Sequence, residues 1–405
     1  MAKRTREKYA SKAIIPIAKP YLDNKDYEAV KEVLCSGWLT QGPKVKQFEG
    51  DFASYVGSGY SCAVSSCTAA LHLALLAVGV KPGDAVITVS HSFIATANSI
   101  KYCGAEPIFI DIDLGTFNMS IDALRGCLYK DCKTHNGQLF YNSRRISAIL
   151  LVHQMGMPCD LGSILRLARK FNIPIVEDAA CAIGSEIKIG LHWEKIGKPH
   201  GDIACFSFHP RKVLTTGEGG MIVTNNPGYD RKARLLRNQG MSVSDLIRHK
   251  ARKIIFEEYA VVGYNYRMTD IQAAIGIGQL KKLPAIIRRR QEIADSYYNK
   301  LSGIGWLELP KEPQYCKSNW QSYPLRVKDN APLSRDEFMQ YLLDAGISTR
   351  RGIMNAHQEL PYKSHCWKLP LSETARDYTL LLPIFNSLSG SQIEYIVAAI
   401  KRLRK

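Results

Sequence analysis

The sequence predicts an α/β protein, with a large domain on a mostly parallel sheet flanked by helices and a smaller α+β domain after it. Three observations carry this. Between residues 62 and 177, short apolar runs alternate with helical stretches, which demands crossover connections and a largely parallel sheet. Two further apolar runs, 203–208 and 221–224, frame a polar, glycine-rich loop holding a single lysine, Lys212. After residue 286 the alternation stops, and two strand candidates lie among helices.

In chain order, 14–20 reads as an extended arm and 24–34 as a helix. Residues 36–43, Ser-Gly-Trp-Leu-Thr-Gln-Gly-Pro, form a turn, because two glycines and a proline stop a helix. An amphipathic helix follows at 45–56. Strands are expected at 62–65, 85–89, 107–111, 146–152 and 173–177, alternating with helices at 68–78, 94–102 and 161–171. Residues 129–145 interrupt this rhythm. They are polar, and Asn136-Gly137 marks a turn, so they read as a loop or short hairpin. A helix covers 229–239. Thr269 or Asp270 caps another that runs to about residue 283, where Pro284 falls near its end, and a separate helix covers 286–301. The last part has strands at 321–327 and 348–350 and helices at 334–345 and 391–403. Residues 1–30 are thus an arm, 31–285 the large domain and 286–405 the small one.

The 405 residues are 46% hydrophobic and 22% charged, ordinary values for a globular protein. No run has the length and purity of a membrane span; 69–80, the most apolar helix candidate, is too short. The basic start, 1–12, lacks the apolar stretch of a secretory signal and reads as a frayed tail. Eleven scattered cysteines, with no Cys-x-x-Cys pair and no nearby histidine spacing, exclude a zinc module and argue for the reducing cytoplasm. The net charge of +17 is spread, with small clusters at 281–282, 288–290 and 401–405. Without a nucleic-acid-binding module, that charge points to an anionic small substrate instead of DNA or RNA.

Pro210 before Lys212, and Gly217, Gly219 and Gly220 after it, restrict and shape the loop backbone. A lysine held in such a turn suits an amine that attacks an aldehyde. Other chemistry-bearing residues fall at strand ends, where ligands of such sheets bind. Asp178 follows the strand of 173–177, with Glu177 as the alternative carboxylate. Ser66-Cys67-Thr68 opens a helix, where free N–H groups and the helix dipole attract anions. Phe93 follows the strand of 85–89. His72, on an Ala/Leu helix face, reads as structural.

The run from Ser207 to Gly220 resembles the cofactor-lysine loop of the DegT/DnrJ/EryC1/StrS family of sugar aminotransferases, whose pattern is Ser-Phe-His-Pro-x-Lys-x-x-Thr-Thr-Gly-Glu-Gly-Gly. Every fixed position is filled. The resemblance runs from residue 14 to about 402. It implies the aspartate-aminotransferase-type fold (fold type I) and a homodimer with shared active sites. It also implies pyridoxal 5'-phosphate as cofactor, alternating with pyridoxamine 5'-phosphate; no metal is implied. Lys212 would bond the cofactor aldehyde and carry the proton, and the pattern Glu-Asp-Ala-Ala selects Asp178 to face the pyridine nitrogen. Phe93 would stack on the ring, and Ser66, Cys67, Thr68 and Ser207 would hold the phosphate. Asn265 would reach the phosphate in the partner subunit.

The chain departs from the pattern at two of these places. Cys181 stands where the family often has Gln, Glu or His against the ring hydroxyl, and Cys67 where it usually has Gly. Trp38, Thr40, His209, Arg237, Arg350 and His357 fall on segments that the resemblance places around the substrate, and His153 near the cofactor. The implied reaction moves an amino group from an amino acid, most simply L-glutamate, to a keto group of a nucleotide-linked sugar. Aminosugar and polysaccharide biosynthesis, such as that of lipopolysaccharide O-antigen, would be its setting. Two rivals are a sugar dehydratase of the same family, which replaces the lysine, typically by histidine, and a non-catalytic cofactor-binding regulator. Lys212 opposes the first; Lys212 together with Asp178 opposes the second.

Overall fold

The computed structural model describes residues 14–243, 248, 251, 253–363 and 367–403. The tail expected at 1–12 and the last two residues of the terminal basic cluster lie outside them. The central sheet has nine strands, seven of them in its main run: β1 (Tyr60–Val64), β2 (Ala85–Val89), β3 (Glu106–Ile110), β4 (Arg144–Val152), β5 (Ile175–Asp178), β6 (Ile203–Ser207) and β7 (Gly220–Thr224). Their spatial order is β1-β7-β6-β5-β4-β2-β3. The pairs β6–β5, β5–β4, β4–β2 and β2–β3 are parallel. Within this run β7 alone runs against its neighbours, β1 and β6. The cause is local: the lysine loop joins β6 directly to β7 without a crossover helix.

Both faces of the sheet are covered, as its apolar strands require. Ala204 and Phe206 of β6 pack into one core, and Ile203 and Cys205 into the other. The first core receives α2 (Pro43–Val56) and α6 (Leu161–Lys170). The second receives α3 (Cys67–Ala77), apolar on nearly every side and correspondingly buried, and α7 (Pro227–Arg237). Phe206 and Phe208 pack against Phe48 and Phe52 of α2 with ring centroids 5.1–5.7 Å apart, each such pair worth about 1 kcal/mol beyond its buried area. By the strand period of two, Ser207 between them faces the other way. That alternation anchors the lysine loop.

One expectation changes, one element had no sequence signal, and one open reading is resolved. The helices expected at 270–283 and 286–301 are one, α8 (Asp270–Leu301), with Pro284 inside it. A mid-helix proline costs about 3 kcal/mol. Leu280, Leu283, Ile286 and Ile293 are buried on either side of it, and this packing holds the helix continuous. The boundary placed at 285 therefore falls inside a helix. A hairpin, Glu186–Ile189 with His192–Lys195, pairs with Cys316–Lys317 and had no strand signal, being short and polar. Within 129–145, where a loop or short hairpin is expected, Lys133–His135 pairs with Gln138–Tyr141, which pairs on to the start of β4, and Asn136 and Gly137 both have positive φ, the mark of a tight hairpin turn.

Past α8, strands β8 (Leu307–Glu308), β9 (Tyr323–Val327), β10 (Arg350–Arg351) and β11 (Thr379–Leu382) form a second, antiparallel sheet in the order β8-β9-β11-β10. Helices α9 (Arg335–Asp344), α10 (Pro370–Tyr378) and α11 (Gly390–Lys401) accompany it. The arm joins this part through a bridge between Ile15 and Ile347.

Candidate active site

A cavity of about 470 Å³ opens at the carboxyl ends of β1, β5 and β6, and β10 and β11 of the second sheet contribute to its wall. It gathers Ser66, Cys67, Thr68, Phe93, Asp178, Cys181, Ser207, His209, Lys212 and Arg350. These were singled out from segments far apart in the chain; the parallel sheet brings their strand ends together.

The lysine loop is held by its own backbone. Phe208 N–H donates to Gly219 O at 2.9 Å, and Thr216 N–H to Phe208 O at 3.0 Å. Lys212 N–H donates to His209 O at 2.8 Å. Gly217 has φ +84°, a left-handed conformation that glycine adopts freely. A Cβ on Gly220 would stand 2.5 Å from Ser66 O and 2.7 Å from Cys67 N, so this glycine lets β7 press against the turn that opens α3. Lys212 Nζ lies 3.0 Å from Cys181 Sγ. Burial lowers the proton affinity of Lys212, but the Cys181 sulphur, with Asp178 behind it, outweighs this and raises it above the ordinary value.

Asp178 ends β5 and is buried. Thr96 donates to its Oδ2 at 2.8 Å and the Ala180 N–H to its Oδ1 at 3.2 Å. Burial pushes its carboxyl above the usual carboxylate range, which Thr96, Ala180 and Lys212 offset only in part. Such a carboxylate is short of positive partners, and a protonated ring nitrogen supplies one. Glu177 points to the opposite face, where its Oε2 accepts from His153 Nε2 at 3.0 Å and its Oε1 from Gly201 N–H at 3.1 Å. Because the Cys159 N–H donates to His153 Nδ1 at 3.0 Å, His153 carries its proton on Nε2. The pair His153–Glu177 thus lies behind the sheet, and the cavity holds Asp178 alone of the two carboxylates.

Ser66 caps α3, its Oγ accepting from Ala69 N–H at 3.1 Å. The N–H groups of Cys67 and Thr68 have no intrahelical acceptor and belong to cavity-lining residues, a ready anion site. With Cys67 for Gly the backbone keeps its helical start; burial drives the Cys67 thiol well up, so its side chain is neutral beside a phosphate. Phe93, 61% exposed, lines the cavity. An amine, a buried carboxylate, free N–H donors and a flat ring together fit pyridoxal phosphate.

Other candidates stand elsewhere. Arg237 is buried and pairs with Glu49 while donating to Ala63 O; it is an internal ion pair, not a substrate contact. His357 is buried behind the cavity, its N–H donating to Ser90 Oγ at 2.9 Å and its Nδ1 lying 2.6 Å from the same hydroxyl. It clasps the end of β2 to the C-terminal part. Trp38 and Thr40 lie in the turn before α2, outside their own chain's cavity. There Asp270, the expected alternative cap of α8, instead accepts from the N–H groups of Gly42, Lys44 and Val45. Asn265 is exposed and bridges to Asn238, also outside that cavity. His72 is buried against Tyr264 and Tyr266, a structural role as expected.

Sequence reasoning missed Thr96, Gln154, Arg211 and Arg351, which also line the cavity. It also missed His91, behind Phe93. Asn355 Nδ2 donates to Gln358 and to Ser372, so its Oδ1 faces His91 Nδ1 at 2.8 Å as acceptor. His91 Nε2 is buried with no partner, and burial lowers the imidazole's pKa to about 4. The ordinary value is near 6.5, so between these two pH values the folded protein binds fewer protons than the unfolded one. The associated stability is therefore complete above the unfolded value and lost as pH falls through the window, by roughly 3 kcal/mol in all. Unfolding His91→Phe in urea at neutral pH and near about pH 4.5 should show a shallower loss than wild type; an equal loss contradicts this assignment.

Comparison with known proteins agrees with this geometry. The profile of the DegT/DnrJ/EryC1/StrS aminotransferase family matches residues 20–401. The chain is 35% identical over 397 residues to the spore coat polysaccharide biosynthesis protein SpsC of Bacillus subtilis (strain 168), covering 96% of this chain and 97% of that protein. Among solved structures it resembles the aminotransferase TlmJ from Streptoalloteichus hindustanus, with TM-score 0.84, 34% identity and coverage of 96% and 98%. It also resembles the proposed sugar aminotransferase Spr1654 from Streptococcus pneumoniae in its PMP form, with TM-score 0.85, 26% identity and coverage of 96% and 98%.

Proposed function

The chain belongs to the DegT/DnrJ/EryC1/StrS aminotransferase family, whose cofactor is pyridoxal phosphate, and we propose that it aminates a keto group on a nucleotide-linked sugar at the expense of L-glutamate. The cavity wall carries this reading. Arg211, Arg350 and Arg351 line it beside Lys212, against the carboxylates of Glu218 and Asp178. Guanidinium forks grip diphosphates and α-carboxylates in two-pronged fashion, so one wall serves both substrates in turn. The net charge of +17 draws anions toward it. The name of SpsC and the description of Spr1654 support a sugar acceptor and a role in polysaccharide synthesis.

Bound pyridoxal phosphate supplies the electron sink for moving nitrogen between carbons. Asp178 would hold its negative charge at the ring nitrogen, and the N–H groups of Cys67 and Thr68, with Ser207, would hold the phosphate. Phe93 would stack on the ring, and Lys212 Nζ would carry the proton between the substrate carbon and the cofactor carbon. Lys212 in the cavity disfavours the dehydratase reading.

The working unit in this proposal is a cytoplasmic homodimer. Asn265 lies outside its own cavity, and the exposed Ile254, Phe256, Tyr259 and Val262 nearby in sequence offer an apolar surface to a second copy. The function is tested with purified, cofactor-loaded protein and L-glutamate alone. One equivalent of 2-oxoglutarate per site is expected, with the cofactor recovered as pyridoxamine phosphate. Bound glutamate without 2-oxoglutarate would instead identify a sensor.

A further inference from the structure

Asp178 is reached by a chain of two hydroxyls from the segment that opens α4 (Ala95–Tyr102). Thr96 Oγ1 stands 2.8 Å from Asp178 Oδ2, and Ser92 Oγ stands 2.8 Å from Thr96 Oγ1. Ser92, Thr96 and Asp178 are 3%, 1% and 5% exposed. Their directions follow from proton counting. An ionised carboxylate only accepts, so Thr96 donates to Asp178. A hydroxyl has one proton, so Thr96 then accepts from Ser92. The series runs Ser92 to Thr96 to Asp178, and the Ala180 N–H occupies the other carboxylate oxygen.

The charged and titratable groups facing Asp178 come from every side. They are Lys212 from the lysine loop, Cys205 from β6 and Cys67 from α3, with His153 acting on its charge from behind the sheet. Burial opposes the charge on Asp178 more than any single neighbour favours it. Lys212 is the cation among them, and it is committed to the cofactor aldehyde in the working enzyme. Thr96 and Ala180 are then the hydrogen-bond donors of this chain that remain on the carboxylate.

We propose that Thr96, oriented by Ser92, is a positioning residue for amino transfer: its hydroxyl aims the ionised Asp178 at the ring nitrogen of the cofactor. The proposal rests on the reading that Asp178 faces that nitrogen. A buried hydrogen bond to a charged group also has a consequence for pH. Without it the carboxylate takes up a proton at higher pH, so affinity for pyridoxal phosphate fails earlier on acidification.

The test is a titration of the apo-protein with pyridoxal phosphate, followed by absorbance across a range of pH, for Thr96→Val, Thr96→Ser, Ser92→Ala and Asp178→Asn. For Thr96→Val, cofactor affinity should fall about tenfold and its acid midpoint should rise by about one pH unit. Thr96→Ser should restore both. Ser92→Ala should shift both the same way by less, and it decides the matter if Thr96→Val does not fold. A purely structural role would move neither the midpoint nor its rescue by serine. Wild-type affinity and midpoint in Thr96→Val, or in Ser92→Ala where it alone folds, beside a weakened Asp178→Asn, overturn the hydroxyl series alone. Wild-type binding by Asp178→Asn at every pH overturns the ring-nitrogen reading beneath it.

Discussion

Lys212→Ala protein should fold, bind pyridoxal phosphate non-covalently and lose amino transfer by about a thousandfold or more. Lys212 is the one lysine lining the described cavity, so no neighbour takes over its amine. Its side chain is an ammonium desolvated in the protein interior, held by the Cys181 sulphur and the charge of Asp178. That side chain makes a hydrogen bond to Cys181, and the loop itself is held by backbone hydrogen bonds, which is why the fold should survive. Borohydride reduction of the wild type should fix the cofactor to the peptide containing Lys212, and reduction of the variant should fix none. Label on a different lysine contradicts the assignment. The same variant tests the shared site. Mixed with Asn265→Asp subunits, themselves expected to be nearly inactive because a carboxylate repels the phosphate, it should regain activity in hybrids that place both faults in one site. Demonstrated subunit exchange without recovered activity would show that each chain builds its own pocket.

Asp178→Asn should slow turnover by about two orders of magnitude or more while leaving the empty protein at least as stable. The two expectations share one cause. Burial raises the carboxyl's pKa, so at neutral pH the ionised group costs folding free energy. The amide still accepts from Thr96 but cannot pair with a protonated ring nitrogen. A thermal melt of the apo-proteins and steady-state rates separate the outcomes. A variant that turns over normally would leave Asp178 without its role. A variant that is inactive because it is unfolded would show the carboxylate to be structural.

The fold was legible because its signal is periodic. Apolar strands alternating with helices dictate a parallel sheet, and such a sheet puts its strand ends on one rim. Lys212, Asp178 and Cys67 therefore meet although the sequence separates them widely. What stayed hidden depends on pairs with no sequence signature. Arg237 and Glu49 are 188 residues apart, and nothing in either segment announces the other. His91 and Asn355 meet the same way. Thr96 sits in an ordinary Ala-Thr-Ala stretch, and only the approach of α4 to β5 gives its hydroxyl a partner. Pro284 was read by its local cost, whereas the packing along the long helix decides its place.

The central claim concerns the acceptor, and label transfer tests it most directly. Cofactor-loaded protein is given heavy-nitrogen L-glutamate with a panel of UDP-, GDP- and dTDP-linked keto-hexoses, and the products are weighed by mass spectrometry. The account predicts heavy nitrogen in one nucleotide-linked aminosugar, formed in step with 2-oxoglutarate. Heavy nitrogen passing to 2-oxo acids or to free keto-hexoses, with every nucleotide sugar returned unchanged, would contradict it.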